Sequence, residues 1–304
     1  MDVQASVQQR PASEQPVERR VRSGDLEIAV HDWAGEGRPV LLAHGAGLHG
    51  RTWDSVARAL PGHRVLAPDL RGHGSSDKPE PPVAWDAFIL DLRAAIAGLD
   101  LRDVIGVGHS LGGHAVTVAA AAEADRIAGL VLLDPIIIHM PGDDAPPPRP
   151  PDAFEFLARR RNEWSSHEEM LERYRDRPPY ATWAPGVLDD YVRYGLTANP
   201  TGEGYVLSCS PRFEAATYGS RPFPDPVLRA AGSLRVPVRI VRAKQQLPGE
   251  QPQAFTTSPT APRAHTLFHD VHDEVRQDLS HFIPQEDPEY VAQQVMHLDR
   301  QLGG

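Results

Sequence analysis

Ser110 lies in a setting that can turn a serine hydroxyl into a nucleophile. Residues 108–113, Gly-His-Ser-Leu-Gly-Gly, follow the apolar run at 104–107 and precede an alanine-rich stretch, so they are expected to join a strand to a helix. Gly-x-Ser-x-Gly at such a junction places the serine at the tip of a strained turn, where small neighbours let the backbone approach closely. We therefore expect Ser110 to face substrate, with the Leu111 N–H stabilising an oxyanion from the helix N-terminus.

A second loop of small residues, His-Gly-Ala-Gly at 44–47, directly follows the apolar run at 40–43. Such a loop can turn backbone N–H groups into a pocket, so the Ala46 N–H would pair with that of Leu111 to form an oxyanion hole. The alternative is a tight turn with a structural histidine. The candidate nucleophile, about 65 residues further along the chain, favours the functional interpretation.

Short apolar, β-prone runs alternate with helical stretches and predict the elements that must position these groups. The runs lie at residues 27–30, 40–43, 65–67, 104–107, 130–133, 236–241 and 266–268. Strands that recur between helices predict an α/β fold with a mostly parallel central sheet flanked by helices. The runs at 130–133 and 236–241 alternate little, which is typical of strands buried on both faces.

The chain divides into four predicted segments. Residues 1–22 are polar and lack apolar periodicity, so a disordered N-terminal tail is expected there. Residues 23–138 and 226–304 form the two parts of the core. Residues 139–225 interrupt the alternation of strands and helices, so they are predicted to be a helical cap inserted between two core strands.

The predicted cap has a proline cluster at 146–151 and charged helical segments at 154–161 and 167–175. It also contains six conspicuous aromatic residues: Trp164, Tyr174, Tyr180, Trp183, Tyr191 and Tyr194. These could line a substrate pocket or pack the cap onto the core, and packing is favoured for any single one of them.

The composition excludes several classes of partner. The 304 residues are 40% apolar and 24% charged, which is ordinary for a soluble globular protein. A formal net charge of −10 argues against nucleic acid or an anionic membrane surface. No apolar run approaches the roughly 20 residues that span a bilayer, and the N-terminus lacks the apolar centre of a signal peptide, so a cytoplasmic protein is expected. The expected partner is a small-molecule substrate.

Neither a cofactor nor a metal is expected. The single cysteine, Cys209, excludes a disulfide framework within the chain and a cysteine-rich metal site, and its side chain is expected to be buried. The 14 histidines include no helical His-x-x-x-His pair with a carboxylate partner, which argues against a catalytic metal. Gly106 and Gly108 belong to the turn around Ser110 rather than to a nucleotide-binding loop.

Other polar residues near these motifs have structural interpretations. His109 is expected to pack or to hydrogen-bond locally rather than act as a base. Turn and salt-bridge contacts in the loop after the strand at 65–67 are expected from Asp69, Arg71, His73 and Asp77. Contact of His73 with substrate is the alternative.

Five segments, in this order, resemble the α/β-hydrolase superfamily, in the branch that contains esterases, epoxide hydrolases and haloalkane dehalogenases. They are residues 44–47 with Trp53 downstream, 68–79 (PDLRGHGSSDKP), 108–113, 130–135 (LVLLDP) and 280–288 (SHFIPQEDP). The resemblance covers the core from about residue 25 to 135 and from 230 to 300. It implies an α/β-hydrolase fold, whereas the predicted cap is not recognisable in the same way.

The resemblance also implies a general-base histidine in the last loop of the core. His281 matches that position, whereas His269 and His272 lack the Phe-x-Pro-x-Glu-x-Pro context that follows His281. Dehalogenases and epoxide hydrolases that resemble this core carry aspartate where Ser110 lies, so the serine points to acyl transfer. An imidazole must take the proton of such a serine, and a carboxylate must orient the imidazole.

The carboxylate is where this sequence departs from the commonest pattern of the family. An aspartate usually follows the strand that here lies at 238–241, but residues 242–250 contain only one carboxylate, Glu250. Some members take the carboxylate from the end of the strand after the helix that follows the nucleophile, and Asp134, 24 residues beyond Ser110, occupies that place. Asp134 is the predicted acid, and Glu250 is the alternative. A dyad, another carboxylate, or a purely structural Asp134 stays open.

These residues predict a cofactor-free serine hydrolase, of the esterase or lactonase type, that acts through an acyl-enzyme. Ser110, His281 and Asp134 would be catalytic, with Ala46 and Leu111 as oxyanion donors. The aromatic cap suits a medium-sized, largely apolar substrate such as a polyketide-like lactone. The same residues could cleave a carbon–carbon bond or a thioester. Two alternatives without catalysis are a small-molecule receptor with little turnover and an interaction protein with a vestigial turn around the serine.

Overall fold

The computed structural model describes residues 15–144, 153–221, 225–246 and 255–303. Its strands are β1 Val17–Ser23, β2 Leu26–Trp33, β3 Pro39–Ala43, β4 Arg64–Pro68, β5 Val104–His109, β6 Ile127–Leu133, β7 Glu163–Trp164, β8 Leu196–Ala198, β9 Tyr205–Leu207, β10 Val238–Arg242 and β11 Val271–Val275. Its α-helices are α1 Asp54–Arg58, α2 Trp85–Gly98, α3 Leu111–Ala122, α4 Glu155–Ala158, α5 His167–Arg175, α6 Val187–Gly195, α7 Pro211–Gly219, α8 Val227–Ser233, α9 Ile283–Glu286 and α10 Pro288–Gln301. Short 3₁₀ turns span Gly50–Trp53, Tyr180–Thr182 and Ala264–Leu267. None of the helices in the described ranges is both long and apolar enough to cross a membrane.

Eight of these strands form the central sheet, in the order β1-β2-β4-β3-β5-β6-β10-β11. β2 pairs antiparallel with β1 and with β4, and every other neighbouring pair is parallel. The predicted α/β fold with a mostly parallel sheet is thus confirmed. Because parallel strands end at one edge of a sheet, the loops that follow β3, β5, β6 and β10 converge there.

The central strands are buried on both faces, which explains their continuous apolar sequences. In β6, Leu130 and Leu132 pack with residues of α2, α3 and α8. Val131 and Leu133 point to the opposite face and pack with residues of α1 and α10. Helices therefore cover both faces of the sheet.

The tail predicted for residues 1–22 is wrong for its last part, because Val17–Ser23 forms the edge strand β1. Its sequence, VERRVRS, shows no alternation of apolar and polar residues, because only Val21 and Ser23 are buried. Charged side chains are common on edge strands because they discourage pairing with another chain. Arg19 is held by β2, with its Nε 2.6 Å from Asp32 Oδ2. Residues 1–14 of the predicted tail lie outside the described residues.

The strand predicted at 266–268 is also wrong. Ala264–Leu267 forms a 3₁₀ turn, and the strand is β11, whose sequence VHDEV contains only two apolar residues. The Phe268 side chain packs in the core, which explains the apolar residue there. Among the described strands, β11 lies at the edge of the sheet and pairs only with β10.

Residues 153–221, between β6 and α8, are called the insertion below. They contain α4 to α7 and a small antiparallel sheet in the order β7-β9-β8. The predicted helical cap therefore also contains strands, which at two or three residues are too short to leave a sequence pattern. The helix at 167–175 has its predicted bounds, whereas only Glu155–Ala158 is helical within 154–161. The proline cluster at 146–151 lies outside the described residues.

The six aromatic residues of the insertion that the sequence singled out have packing roles. One cluster contains five of them: Trp164, Tyr174, Tyr180, Trp183 and Tyr191. Within it Tyr174 and Tyr180 stack with ring centres 4.4 Å apart, and Trp183 meets Tyr191 edge to face at 5.4 Å. The sixth, Tyr194, lies under the guanidinium of Arg51, 3.6 Å from its ring centre.

Candidate active site

Ser110 sits at the tip of a tight turn between β5 and α3, in the strand–turn–helix context that its sequence predicts. Its backbone has φ 56° and ψ −119°, a conformation that residues other than glycine rarely adopt. Two hydrogen bonds tie the turn to the end of β6 and to the loop after it. The Ser110 N–H donates to Leu133 O at 3.1 Å, and the Ser110 carbonyl accepts from the Ile136 N–H at 3.1 Å. The serine is thereby fixed at the carboxyl edge of the sheet.

The turn around Ser110 needs glycine at positions 108 and 112, because neither position has room for a side chain. A Cβ on Gly112 would lie 2.2 Å from Ala43 O, and one on Gly108 would lie 2.5 Å from Gly112 O. Both clashes involve backbone, which cannot rotate away as a side chain can. The turn therefore packs directly on the end of β3 and brings the loop of Ala46 beside the serine.

We expect Gly112→Ala to lower the free energy of unfolding by about 3 kcal/mol or more, because the added methyl group would overlap the backbone of Ala43. Urea denaturation followed by circular dichroism measures the change. Gly232→Ala is the control, since Gly232 lies within α8 and a Cβ there meets nothing within 4 Å. Alanine should stabilise that helix by up to about 1 kcal/mol. Equal stability of the two variants would contradict this account of the turn.

Three side chains from three loops form a chain of hydrogen bonds at this edge of the sheet. His281, between β11 and α9, has its Nε2 2.9 Å from Ser110 Oγ and its Nδ1 2.6 Å from Asp134 Oδ2. Ser110 follows β5 and Asp134 follows β6, which are neighbours in the sheet. All three residues are at most 4% exposed. In such an arrangement the imidazole can take the serine proton while the carboxylate orients the ring and stabilises its charge.

The second oxygen of Asp134 is also satisfied. Its Oδ1 accepts from the Ala243 N–H at 3.2 Å and from the hydroxyl of Ser258. The loop after β10, where the commonest family pattern has an aspartate, thus supplies a backbone donor to Asp134. Ser258 is a supporting residue that the sequence did not reveal, since no motif surrounds it. The alternative acid, Glu250, lies outside the described residues.

The backbone of His281 is held from two sides. Its N–H donates to Phe255 O at 3.2 Å, and its carbonyl accepts from His109 Nε2 at 2.8 Å. Because a carbonyl only accepts, His109 carries its proton on Nε2. Burial lowers the pKa of the His109 ring well below its usual value. His109 is therefore a neutral supporting residue, as the sequence interpretation had it.

The predicted oxyanion donors, Ala46 and Leu111, border the same cavity as Ser110 and His281. Leu111 is the first residue of α3. Within the described part of the chain, neither its N–H nor that of Ala46 donates a hydrogen bond. Two such N–H groups beside a serine can stabilise the negative charge that develops on a carbonyl oxygen under attack.

Two buried histidines hold the loop of Ala46. His44 Nε2 accepts the N–H of Leu70 at 3.0 Å, and His73 Nε2 accepts the N–H of Gly47 at 3.1 Å. Burial lowers the pKa of both rings, to about 3 for His73, so both stay neutral and can accept. His73 thus organises loops, as predicted.

A cavity of about 400 Å³ opens beside Ser110, which is within the range of small-molecule sites. The insertion contributes Phe154, Phe156, Leu157, Thr217, Tyr218 and Arg221, and the core contributes Trp85, Ile136, Ile138, Phe255, Thr257 and Pro259. None of the insertion aromatics singled out in the sequence lines it. In the ranges that the structure describes, no cluster of three or more His, Cys, Asp or Glu side chains could hold a metal ion.

The chain is similar to known proteins both in sequence and in fold. A sequence model of the alpha/beta hydrolase family matches residues 40–294. The lipase LipV of Mycobacterium tuberculosis is 33% identical over 235 residues, which cover 75% of this chain and 82% of the lipase. A non-heme haloperoxidase of Rhodococcus erythropolis is 34% identical over 185 residues, covering 58% of this chain and 67% of its own length. The crystal structure of an E-2-(acetamidomethylene)succinate hydrolase shares the fold, with a TM-score of 0.69, 20% identity, and coverage of 94% of this chain and 99% of that one.

Proposed function

The chain belongs to the alpha/beta hydrolase family, and we propose that it is a serine hydrolase that cleaves a carboxylic ester or lactone through an acyl-enzyme. The observation that carries the proposal is the continuous chain of hydrogen bonds from Ser110 through His281 to Asp134. The similarity to a lipase supports an ester as the substrate.

In the proposed reaction, Ser110 Oγ attacks the carbonyl carbon while His281 Nε2 takes its proton. Asp134 stabilises the resulting imidazolium, and the N–H groups of Ala46 and Leu111 hold the oxyanion. Collapse of the tetrahedral intermediate breaks the ester bond, and the leaving alcohol takes the proton from His281. Water, deprotonated by His281, then attacks the acyl-enzyme and releases the acid and free Ser110.

The insertion is proposed to act as a cap over this site. It supplies Phe154, Phe156 and Tyr218 to the cavity wall beside Ser110. Apolar walls around a volume of about 400 Å³ favour a medium-sized, largely apolar substrate. The same catalytic residues could act on a thioester or a carbon–carbon bond, and the similarity to the lipase is what favours the ester.

Intact-mass spectrometry after exposure to a fluorophosphonate tests the proposal. We expect one adduct on the folded wild type, because such probes react with serine hydroxyls activated by a neighbouring imidazole, and none on Ser110→Ala. Ser233→Ala should be labelled like the wild type, since the Ser233 hydroxyl lies in α8 and donates to Ala230 O at 2.8 Å. A folded wild type without adduct, together with a ligand that stabilises it and is not consumed, would favour a receptor instead.

A further inference from the structure

We infer that Glu214 of the insertion is a positioning residue for the oxyanion hole and that Arg160 cancels its charge there. The inference rests on the proposed function, since it concerns the oxyanion donors proposed at Ala46 and Leu111. Glu214 lies in α7 and is only 5% exposed. A carboxylate is rarely buried to this extent unless it is paired. One of its oxygens faces the loop of Ala46, and the other binds Arg160.

The Glu214 carboxylate lies against Gly47, the residue that follows Ala46. A Cβ on Gly47 would lie 2.5 Å from Glu214 Oε1 and 2.7 Å from its Cδ, so the carboxylate fills the space that a side chain would take. The N–H of Gly47 is held separately, by His73 Nε2 at 3.1 Å. The core and the insertion therefore both hold Gly47. Without the carboxylate the loop would have room to move, and a displacement of about 1 Å in a catalytic group can cost about 100-fold in rate.

Arg160 anchors the carboxylate within the insertion. Its Nη1 donates to Glu214 Oε2 at 2.5 Å, and its Nη2 donates to the hydroxyls of Tyr180 at 3.3 Å and Tyr191 at 3.2 Å. Both tyrosines belong to the aromatic cluster of the insertion. A buried ion pair needs such additional hydrogen bonds to offset the loss of hydration. The position of Glu214 is thus fixed by the packing of the insertion, through Arg160.

Glu214 and Arg160 carry the charges of this cluster. Burial raises the pKa of four groups close to Glu214, which therefore stay neutral at physiological pH: the hydroxyls of Tyr180, Tyr191 and Tyr218 and the thiol of Cys209. His73, with its pKa lowered to about 3, is neutral as well. Burial also raises the pKa of the Glu214 carboxyl, and Arg160 opposes that rise. A Glu214 carboxylate without Arg160 would repel an oxyanion formed beside Ala46.

Two substitutions of Glu214 test its contact with the loop, with 4-nitrophenyl butyrate as substrate. We expect Glu214→Ala to lower kcat and kcat/KM alike, about 10- to 100-fold, because the oxyanion exists only during the reaction. Glu214→Gln should stay within about 3-fold of the wild type, since its amide keeps the contact with Gly47 and can still accept from Arg160. Equal rates in the two folded variants, or a loss confined to KM, would overturn the inference.

The pH dependence of kcat tests the role of Arg160. Arg160→Met is compared with the double variant Arg160→Met, Glu214→Gln, so that the titration of His281, which both share, cancels in their ratio. The ratio should be near one at about pH 5 and fall about 10- to 100-fold towards pH 9, as Glu214 loses its proton and its charge opposes the oxyanion. A ratio that does not change with pH would overturn the inference. If Arg160→Met does not fold, the two Glu214 variants decide.

Arg38 and Asp299 provide the matched control. Arg38 precedes β3, at the edge of the sheet opposite to Ser110, and pairs with Asp299 of α10. The ratio of kcat for Arg38→Met to that for Arg38→Met, Asp299→Asn should not change with pH. A fall like that expected for Arg160 would overturn the inference, because the effect would not depend on the oxyanion hole.

Failure of this inference differs from failure of the proposed function. An active wild type with equal rates in Glu214→Ala and Glu214→Gln would overturn the inference alone. A folded wild type that neither hydrolyses the ester nor takes a fluorophosphonate would overturn the proposed function, and the inference with it.

Discussion

His281→Gln is expected to lower kcat on an activated ester about a million-fold, the size of loss seen when the base of a serine triad is removed. The His281 Nε2 lies 2.9 Å from Ser110 Oγ, and glutamine cannot accept the serine proton. His109 cannot substitute, because its Nε2 proton is donated to the His281 carbonyl and burial lowers its pKa well below the usual value. Stopped-time assays with a 4-nitrophenyl ester at high enzyme concentration measure the residual rate.

The matched controls are the two histidines that lack the motif around His281. His269 Nε2 is bonded to Gly232 O at 2.9 Å beside α8, and His272 is an exposed residue of the edge strand β11. We expect His269→Gln and His272→Gln to keep the wild-type kcat. A comparable loss in either variant, with its circular dichroism unchanged, would show that the base had been misassigned.

The three residues of the hydrogen-bonded chain were predictable because each belongs to a local pattern. Ser110 lies between a β-branched run and an alanine-rich helix, and His281 lies within the recognisable segment at 280–288. Asp134 follows an apolar strand, and the parallel pairing of β5 with β6 brings it beside Ser110. A parallel sheet thus converts separate positions in the sequence into neighbours at one edge.

The edges of the sheet and the cavity wall were not predictable, for a shared reason. In β1 and β11 few side chains are buried, so no apolar alternation marks either strand. The cavity wall combines Trp85 and Phe255 of the core with Tyr218 and Arg221 of the insertion. Such a surface depends on how distant segments pack together, and each segment alone carries no periodic signal.

The second large effect is expected for Asp134→Asn, which should lower kcat about 10,000-fold, as the corresponding change does in a serine protease triad. The substitution preserves volume, and asparagine tolerates the positive φ of 46° found at this position. The Ala243 N–H and the Ser258 hydroxyl can still donate to the remaining oxygen. The variant should therefore fold normally, with the loss confined to the hydrogen bond to His281.

The chemical reason for this loss lies in the tautomer of His281. In the wild type, the Asp134 carboxylate accepts the Nδ1 proton at 2.6 Å, which leaves Nε2 free to take the serine proton. An asparagine that turns its amide nitrogen towards Nδ1 becomes a donor, so the proton moves to Nε2 and blocks the base. Glu250→Gln, which removes the alternative acid, should keep the wild-type kcat. Wild-type turnover by Asp134→Asn together with its loss in Glu250→Gln would reverse the assignment, because the carboxylate that orients His281 would then come from the loop after β10.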